Sequence, residues 1–259
     1  MRATNFRESA ELVAYPDLKA AYQSVENGEC DTVVLPFENS YAGEVGAVMD
    51  LIFSGSLFIN QVKDLAISHN LMVQPGTKMD QVKKVISHPQ ALDQCANWIQ
   101  NHGLVGESYV NTAVAAKHVK ECGDPTIAAI ASAETAEIFG LEILESAIND
   151  NPNNTTRFAA MSKVANKPAY TGVREDESFI IVFTVQHKAG ALAQTLNIIG
   201  AHGYNMKSLR SRPMKELQWN YYFYVEAEGN INNENGEYML RELSALCARL
   251  KLVGTFYTK

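Results

Sequence analysis

A chain of 259 residues with 46% apolar side chains has material for about two ordinary soluble cores, and its formal charge of −7 argues against a nucleic-acid partner, since phosphate-backbone binding depends on clustered Lys and Arg. The four cysteines, Cys30, Cys95, Cys122 and Cys247, lie far apart with no CxxC pair; neither a disulfide framework nor a thiolate zinc site is expected, and they read as reduced thiols of a cytoplasmic protein. Residues 1–12 lack the apolar centre of a signal peptide, and no later apolar run approaches the ~18 residues of a membrane span.

In chain order, residues 32–35 read as a strand, followed by a helix whose inward face is Val45, Val48, Met49 and Ile52. Residues 84–87 form a second strand, and the helix behind it has Pro89 near its first turn and Leu92, Ala96 and Ile99 facing inward. Asn111 or Thr112 then caps a helix carrying Val114, His118 and Val119, and a strand at 127–131 runs into Ser132, a cap for a helix ending near Gly140. This alternation is the βαβ rhythm of a parallel sheet. A polar segment, residues 153–157, enters a strand at 158–161. From 166 to 177 the apolar periodicity stops and Pro168 and Gly172 appear, which marks a linker. Beyond it come a strand at 178–186, a helix with Leu192, Leu196 and Ile199, strands at 204–211 and 219–228, a helical face of Met239, Leu243, Leu246 and Leu250, and a last strand at 251–257. That order, βαββαβ, is ferredoxin-like and predicts a separate second unit.

Four predicted strand-to-helix junctions end in small polar residues: Glu38-Asn39-Ser40, Ser87-His88-Pro89-Gln90, Asn111-Thr112 and Ser132. At the carboxyl ends of parallel strands such groups, with the free N–H groups of helix N-termini, can hold an anion even in an acidic protein; each alone reads first as a helix cap, and only their convergence on one cleft would be functional. Arg157 has the planar fork to grip a carboxylate, with a threonine hydroxyl beside it, or it is a surface arginine after a turn. Of six histidines only His88 sits at a junction, as a structural or a catalytic imidazole, and none has metal-ligand spacing, so no metal site is expected. There is no P-loop, no GxSxG elbow and no GxGxxG after a strand, which removes weight from phosphoryl transfer, serine hydrolysis and dinucleotide chemistry.

From about Glu11 onward the chain resembles the prephenate dehydratase family. Residues 33–40, VVLPFENS, are similar to its VPIENS segment; residues 87–95 to its SHPQAL-QC segment; residues 128–132, AAIAS, to its AAIAS segment; and residues 154–158, NTTRF, to its NxTRF segment. Gly190-Ala191-Leu192 resembles the GAL segment, and Ser211-Arg212-Pro213 most of the ESRP segment, of the ACT domains attached to these enzymes, with Arg210 where that segment has Glu. The family begins with a strand and a Gly-rich loop, whereas this sequence opens at Met1 on the segment preceding Tyr15, so the first strand is expected to be absent.

The resemblance implies an α/β fold with a two-lobed, periplasmic-binding-protein-like catalytic region at 1–168 and an ACT domain at 177–259. One lobe would take residues 1–66 and 153–168 and the other 67–152, placing Asn39, Ser40 and Thr156 across a cleft from Ser87, His88 and Gln90. The implied reaction turns prephenate into phenylpyruvate without a cofactor. Thr156 would donate a hydrogen bond to the departing hydroxyl and Arg157 would hold a carboxylate. Asn39, Ser40, Ser87, His88 and Gln90 would orient the substrate, with Glu38, Thr112, Ser132 and Phe158 as further contacts. Phenylalanine would act as effector near Gly190, Ala191, Leu192, Ser211, Arg212 and Pro213, between subunits of a homodimer or homotetramer. Arogenate dehydratase, or an amino-acid sensor that has lost catalysis, are the alternatives.

Overall fold

The structure is a computed structural model that describes residues 10–165, 177–214 and 220–257. Residues 1–9, where the N-terminal expectation begins, and most of the expected linker, residues 166–176, lie outside the described residues. Two compact units are present, Met1–Leu65 with Arg157–Lys259, and Ala66–Thr156.

The first unit opens with helix α1 (Leu18–Asn27), capped by the Asp17 carboxylate, which accepts from the Ala20 N–H at 2.8 Å, and closed by Gly28 in the left-handed region. Strand β1 (Val33–Asn39) alternates buried Val33, Leu35, Phe37 and Asn39 with half-buried neighbours. It then turns back into strand β2 (Gly43–Glu44), because the Asn39 side chain accepts from the N–H groups of Tyr41 and Ala42 at 3.0 and 2.8 Å. The expected strand-to-helix junction at Glu38-Asn39-Ser40 is therefore a hairpin; helix α2 (Gly46–Ser54) starts only after Val45, which offers no side-chain cap. α2 buries Val48, Met49, Ile52 and Phe53. Strand β3 (Phe58–Ala66) ends the stretch.

The second unit is a five-stranded sheet. Strand β4 (Asn70–Val73) is followed by β5 (Lys84–Ser87), helices α3 (Pro89–Asp93) and α4 (Ala96–Asn101), strand β6 (Val105–Ser108), helix α5 (Thr112–Cys122), strand β7 (Ile127–Ala131), helix α6 (Ala133–Phe139) and strand β8 (Glu142–Glu145). The order is β6-β5-β7-β4-β8, with β5 parallel to both its neighbours and β4 antiparallel to both of its own, so the sheet is mixed. All four residues of β4 are buried: Leu71 and Val73 face one core with Val85 and Ile130, and Met72 faces another with Ile86, Ala129 and Val119. The single helix expected over 89–99 is two, because the Asp150 carboxylate caps the backbone N–H groups of Asn97 and Trp98 at 3.0 and 3.2 Å and starts a new helix there; Ala91, Cys95 and Ile99 are buried, not Ala96. In α5 the buried residues are Ala115, Ala116 and Val119, while Val114 is exposed.

Strand β9 (Thr155–Ser162) leads back to the first unit, which continues as β10 (Glu177–Val185), α7 (Ala191–Ala201), β11 (Asn205–Pro213), β12 (Tyr221–Glu228), α8 (Glu234–Leu246) and β13 (Cys247–Tyr257). The last six elements follow the βαββαβ order, with strand order β11-β12-β10-β13 and antiparallel pairing throughout. Leu250 belongs to β13, not to the helix, which ends at Leu246. This ferredoxin-like module does not stand apart, since its sheet runs on through β3, β9, β1 and β2 as eight strands. The reason is visible in β10, whose run of buried residues packs Ile180 and Val182 with Met49, Ile52 and Ile59 on one face, and Phe179, Ile181 and Phe183 with Ile199 and Leu243 on the other. At the seam Gly254 pairs with Ile59, and a Cβ there would lie 1.9 Å from the Ile59 carbonyl oxygen.

Candidate active site

Parallel pairing of β5, β6 and β7 puts their carboxyl ends at one end of the five-stranded sheet, and with them Ser87, His88 and Gln90, Asn111 and Thr112, and Ser132. Asn111 caps α5, its side chain accepting from the Val114 N–H at 2.7 Å, and Thr112 is half-buried as the first helical residue. Ser132 is exposed, and its hydroxyl is 3.1 Å from that of Thr135. Ser87 is fully buried and donates to the Ile130 carbonyl at 2.6 Å, tying β5 to β7. His88 is the N-cap of α3, with Nδ1 accepting from the Gln90 N–H at 3.2 Å, and both His88 and Gln90 are exposed.

Thr156 also belongs to this unit, half-buried near the start of β9. Its approach is fixed by a buried polar group that sequence reasoning missed. Gln94 Oε1 accepts from Asn154 Nδ2 at 2.9 Å and bonds His69 Nε2 at 2.8 Å, and the Ile67 N–H donates to the Asn154 carbonyl at 2.8 Å. Because an amide oxygen only accepts, the imidazole donates to it from Nε2; burial lowers the His69 pKa, with the Gln94 bond opposing. Gln94 and Asn154 stand inside two of the family-like segments, which was the only sequence signal for them.

In the other unit Glu38 and Asn39 end β1, exposed Ser40 follows, and Arg157 and Phe158 lie on β9. The fork of Arg157 does make two parallel bonds to a carboxylate, but the carboxylate is Glu226 of β12: Nη1 donates to Oε2 at 2.7 Å and Nη2 to Oε1 at 3.0 Å. Nη1 also donates to Glu38 at 3.2 Å, Nε lies 3.5 Å from Asp64, and the guanidinium sits 5.1 Å from the centre of the Phe37 ring. An internal carboxylate thus occupies the Nη1–Nη2 edge of the fork that the resemblance assigns to a substrate carboxylate. Burial works against its charge, and the hydrogen bond and charge of Glu226 outweigh it, so its pKa lies above the usual guanidinium range. Glu38 accepts in addition from Arg210 of β11.

In the ferredoxin-like module Gly190 opens α7 with φ +81°, and Ser211-Arg212-Pro213 close β11. Arg212, expected at an effector site, is engaged by Glu44 and by Asp50 at 3.2 Å, and Asp50 accepts from Tyr222 at 3.0 Å. Among the described residues no three His, Cys, Asp or Glu side chains are grouped to hold a metal, and no helix is long and apolar enough to cross a membrane.

The family model of prephenate dehydratase matches residues 1–166. Arogenate dehydratase/prephenate dehydratase 1, chloroplastic, of Arabidopsis thaliana is 32% identical over 97% of this chain and 69% of its own length; the bifunctional chorismate mutase/prephenate dehydratase of Neisseria gonorrhoeae is 32% identical over 98% and 69%. Among solved structures, GqqA, a quorum quenching acylase, superposes with a TM-score of 0.85 at 27% identity over 98% of this chain and 91% of its own. The prephenate dehydratase of Arthrobacter aurescens in complex with L-Phe does so with a TM-score of 0.85 at 27% identity over 95% and 80%. The chain belongs to the prephenate dehydratase family.

Proposed function

We propose that this chain dehydrates and decarboxylates prephenate to phenylpyruvate, a step of phenylalanine biosynthesis. The observation that carries the reading is the family match across residues 1–166, whose segments lie at the carboxyl ends of β5 and β7 and at the start of β9. In the reaction the bond between ring and carboxylate breaks to release carbon dioxide, its electron pair enters the ring, and hydroxide leaves from the opposite carbon, taking a proton from solvent to become water. Aromatisation drives the step, so the protein has to hold two carboxylates and assist a poor leaving group. Thr156 is assigned as the hydrogen-bond donor to the departing oxygen; a threonine hydroxyl is too weak an acid to transfer its proton outright. One positioned donor of this kind contributes about 10²- to 10³-fold. Gln90, Thr112, Ser132 and the first N–H groups of α5 are assigned to the carboxylates, with Asn39 and Ser40 orienting the substrate and His88 holding the turn that presents Gln90.

The test is phenylpyruvate formation from prephenate by the purified chain. Thr156→Ala should lower kcat by about 10²-fold or more with KM changed only a few-fold, and Thr156→Ser should keep much of the rate. No turnover by the parent, or full activity of Thr156→Ala, would refute the assignment. Because the Arabidopsis relative is named for both substrates, arogenate belongs in a parallel assay, and the ratio of the two kcat/KM values decides between them. An acyl-transfer reading after GqqA is disfavoured by Ser87, which gives its proton to the Ile130 carbonyl and so is not a nucleophile paired with His88. We assign the ferredoxin-like module to phenylalanine binding as an ACT domain, by analogy with the Arthrobacter enzyme and its bound L-Phe, in a cytoplasmic homo-oligomer.

A further inference from the structure

Arg157 follows Thr156 directly, and in an extended strand consecutive side chains point to opposite faces. Whatever holds the guanidinium on one face therefore holds the backbone that presents the threonine on the other. The holder is Glu226, 2% exposed on β12, with two parallel bonds of 2.7 and 3.0 Å. Such a pair fixes both the position and the plane of the guanidinium, whereas one bond would leave rotation free. The same relation recurs at β1. Glu38 precedes Asn39, and its carboxylate is shared between Arg157 and Arg210. Each of the two C-terminal partners, Glu226 and Arg210, thus grips the immediate neighbour of a residue assigned to the reaction. Tyr224, two residues before Glu226, is buried with its ring centre 6.0 Å from the Arg210 guanidinium, so the cluster is shielded from solvent on that side and salt screens it weakly.

We propose that Glu226 and Arg210 are positioning residues for the dehydration, Glu226 setting through Arg157 the β9 backbone that carries Thr156, and Arg210 setting through Glu38 the end of β1 that carries Asn39 and Ser40. The proposal rests on the reading of Thr156 as donor to the leaving hydroxyl. It makes the C-terminal module part of the catalytic apparatus even without effector.

The test uses the full chain and initial rates of phenylpyruvate formation for the parent, Glu226→Gln, Arg210→Gln, Thr156→Ala and the double variant Thr156→Ala/Glu226→Gln, with thermal melts of each. Since a misplacement of 1 Å can cost about 10²-fold in rate, Glu226→Gln should lose roughly tenfold or more in kcat with KM within a few-fold. Arg210→Gln should lose less, because its side chain is 24% exposed. With Thr156 already removed, Glu226→Gln should cost no more than about twofold further, the non-additivity of residues that act as a unit. A purely structural ion pair would lower the melting temperature, leave kcat per folded molecule intact and multiply fully with Thr156→Ala; either kinetic result overturns the proposal. If Glu226→Gln does not fold, Glu226→Asp carries the same test, since it keeps the charge but its shorter side chain cannot place both oxygens. An inactive parent, or a fully active Thr156→Ala, overturns the underlying reading and this one with it; an inactive Thr156→Ala beside an unaffected, folded Glu226→Gln overturns this one alone.

Discussion

Replacing Gln94 by leucine tests whether a buried amide organises the approach to Thr156. The change keeps the volume close but removes the acceptor shared by His69 Nε2 and Asn154 Nδ2, and all three residues are less than 9% exposed. Each donor left without a partner in such surroundings costs about 1–3 kcal/mol, so the pair costs ~2–6 kcal/mol, less what the buried leucine recovers. Against a total stability of about 5–15 kcal/mol this is a large fraction. In a chain of this size each kcal/mol moves the melting temperature by roughly 2–4 °C, so calorimetry should show a fall of ~5–20 °C. Urea denaturation followed by circular dichroism gives the free energy directly, with an unchanged slope if the denatured state is unaltered. Phenylpyruvate formation, measured below the variant's melting temperature, should fall in kcat as Asn154 and the residues after it lose their anchor. A loss of stability under ~1 kcal/mol would show that the amide is dispensable and refute the reasoning from unpaired donors.

Three further outcomes follow from other observations. The folded-state pKa of His69 is lowered from 6.5, so the unfolded chain binds more protons in acid; this contribution to stability is complete above pH 6.5 and is lost as pH falls through and below it, and His69→Phe should flatten that part of a pH-stability profile. Gly254→Ala forces a methyl within 1.9 Å of the Ile59 carbonyl oxygen, so it should part β13 from β3 and yield insoluble protein or a melting temperature well below the parent's; an unaffected melt would refute the close pairing. Ala147 holds φ +54° without being glycine, so Ala147→Gly should raise stability by up to about 1 kcal/mol in urea denaturation, and a loss would show that the turn is not strained.

The strands at 84–87 and 127–131 were legible at their observed limits, because a short β-branched or apolar run between helical patterns has few other uses in a two-faced sheet. The βαββαβ order was legible for the same reason. Helix α1 was not, since it buries only Tyr22, Ser24 and Val25 and so shows little apolar stripe. The Asn39 hairpin was mistaken for a helix start because an asparagine side chain accepting from N–H groups two and three residues on serves a turn and a cap equally well. Sequence periodicity also placed the module in its own unit. Only the packing of both faces of β10 shows that one sheet serves both. Of the candidate site, the junction residues were legible as types; Gln94 was not, since a single buried amide leaves no periodic trace and its role depends on two partners, 25 and 60 residues distant in sequence.

Arg157 makes within the chain the bidentate pair that its chemistry favours. A guanidinium next to a candidate donor is suited to a bidentate carboxylate, and the structure supplies one, but from Glu226, 69 residues later in the chain. An external carboxylate seeking the same Nη1–Nη2 edge would have to displace that pair. Breaking a buried ion pair by removing one partner costs about 3–5 kcal/mol, and a substrate that replaced Glu226 would strand the glutamate, 2% exposed, without its cation. Holding substrate carboxylates through neutral donors and helix N–H groups avoids that penalty, because a neutral partner given up for the substrate leaves no buried charge behind. The kinetic consequence is specific. Arg157→Lys keeps the charge and loses the fork, so if Arg157 held substrate its main effect would be a raised KM. With the fork on Glu226, the main effect should be on kcat, with KM nearly constant, and a KM raised more than about tenfold at unchanged kcat would return Arg157 to the substrate.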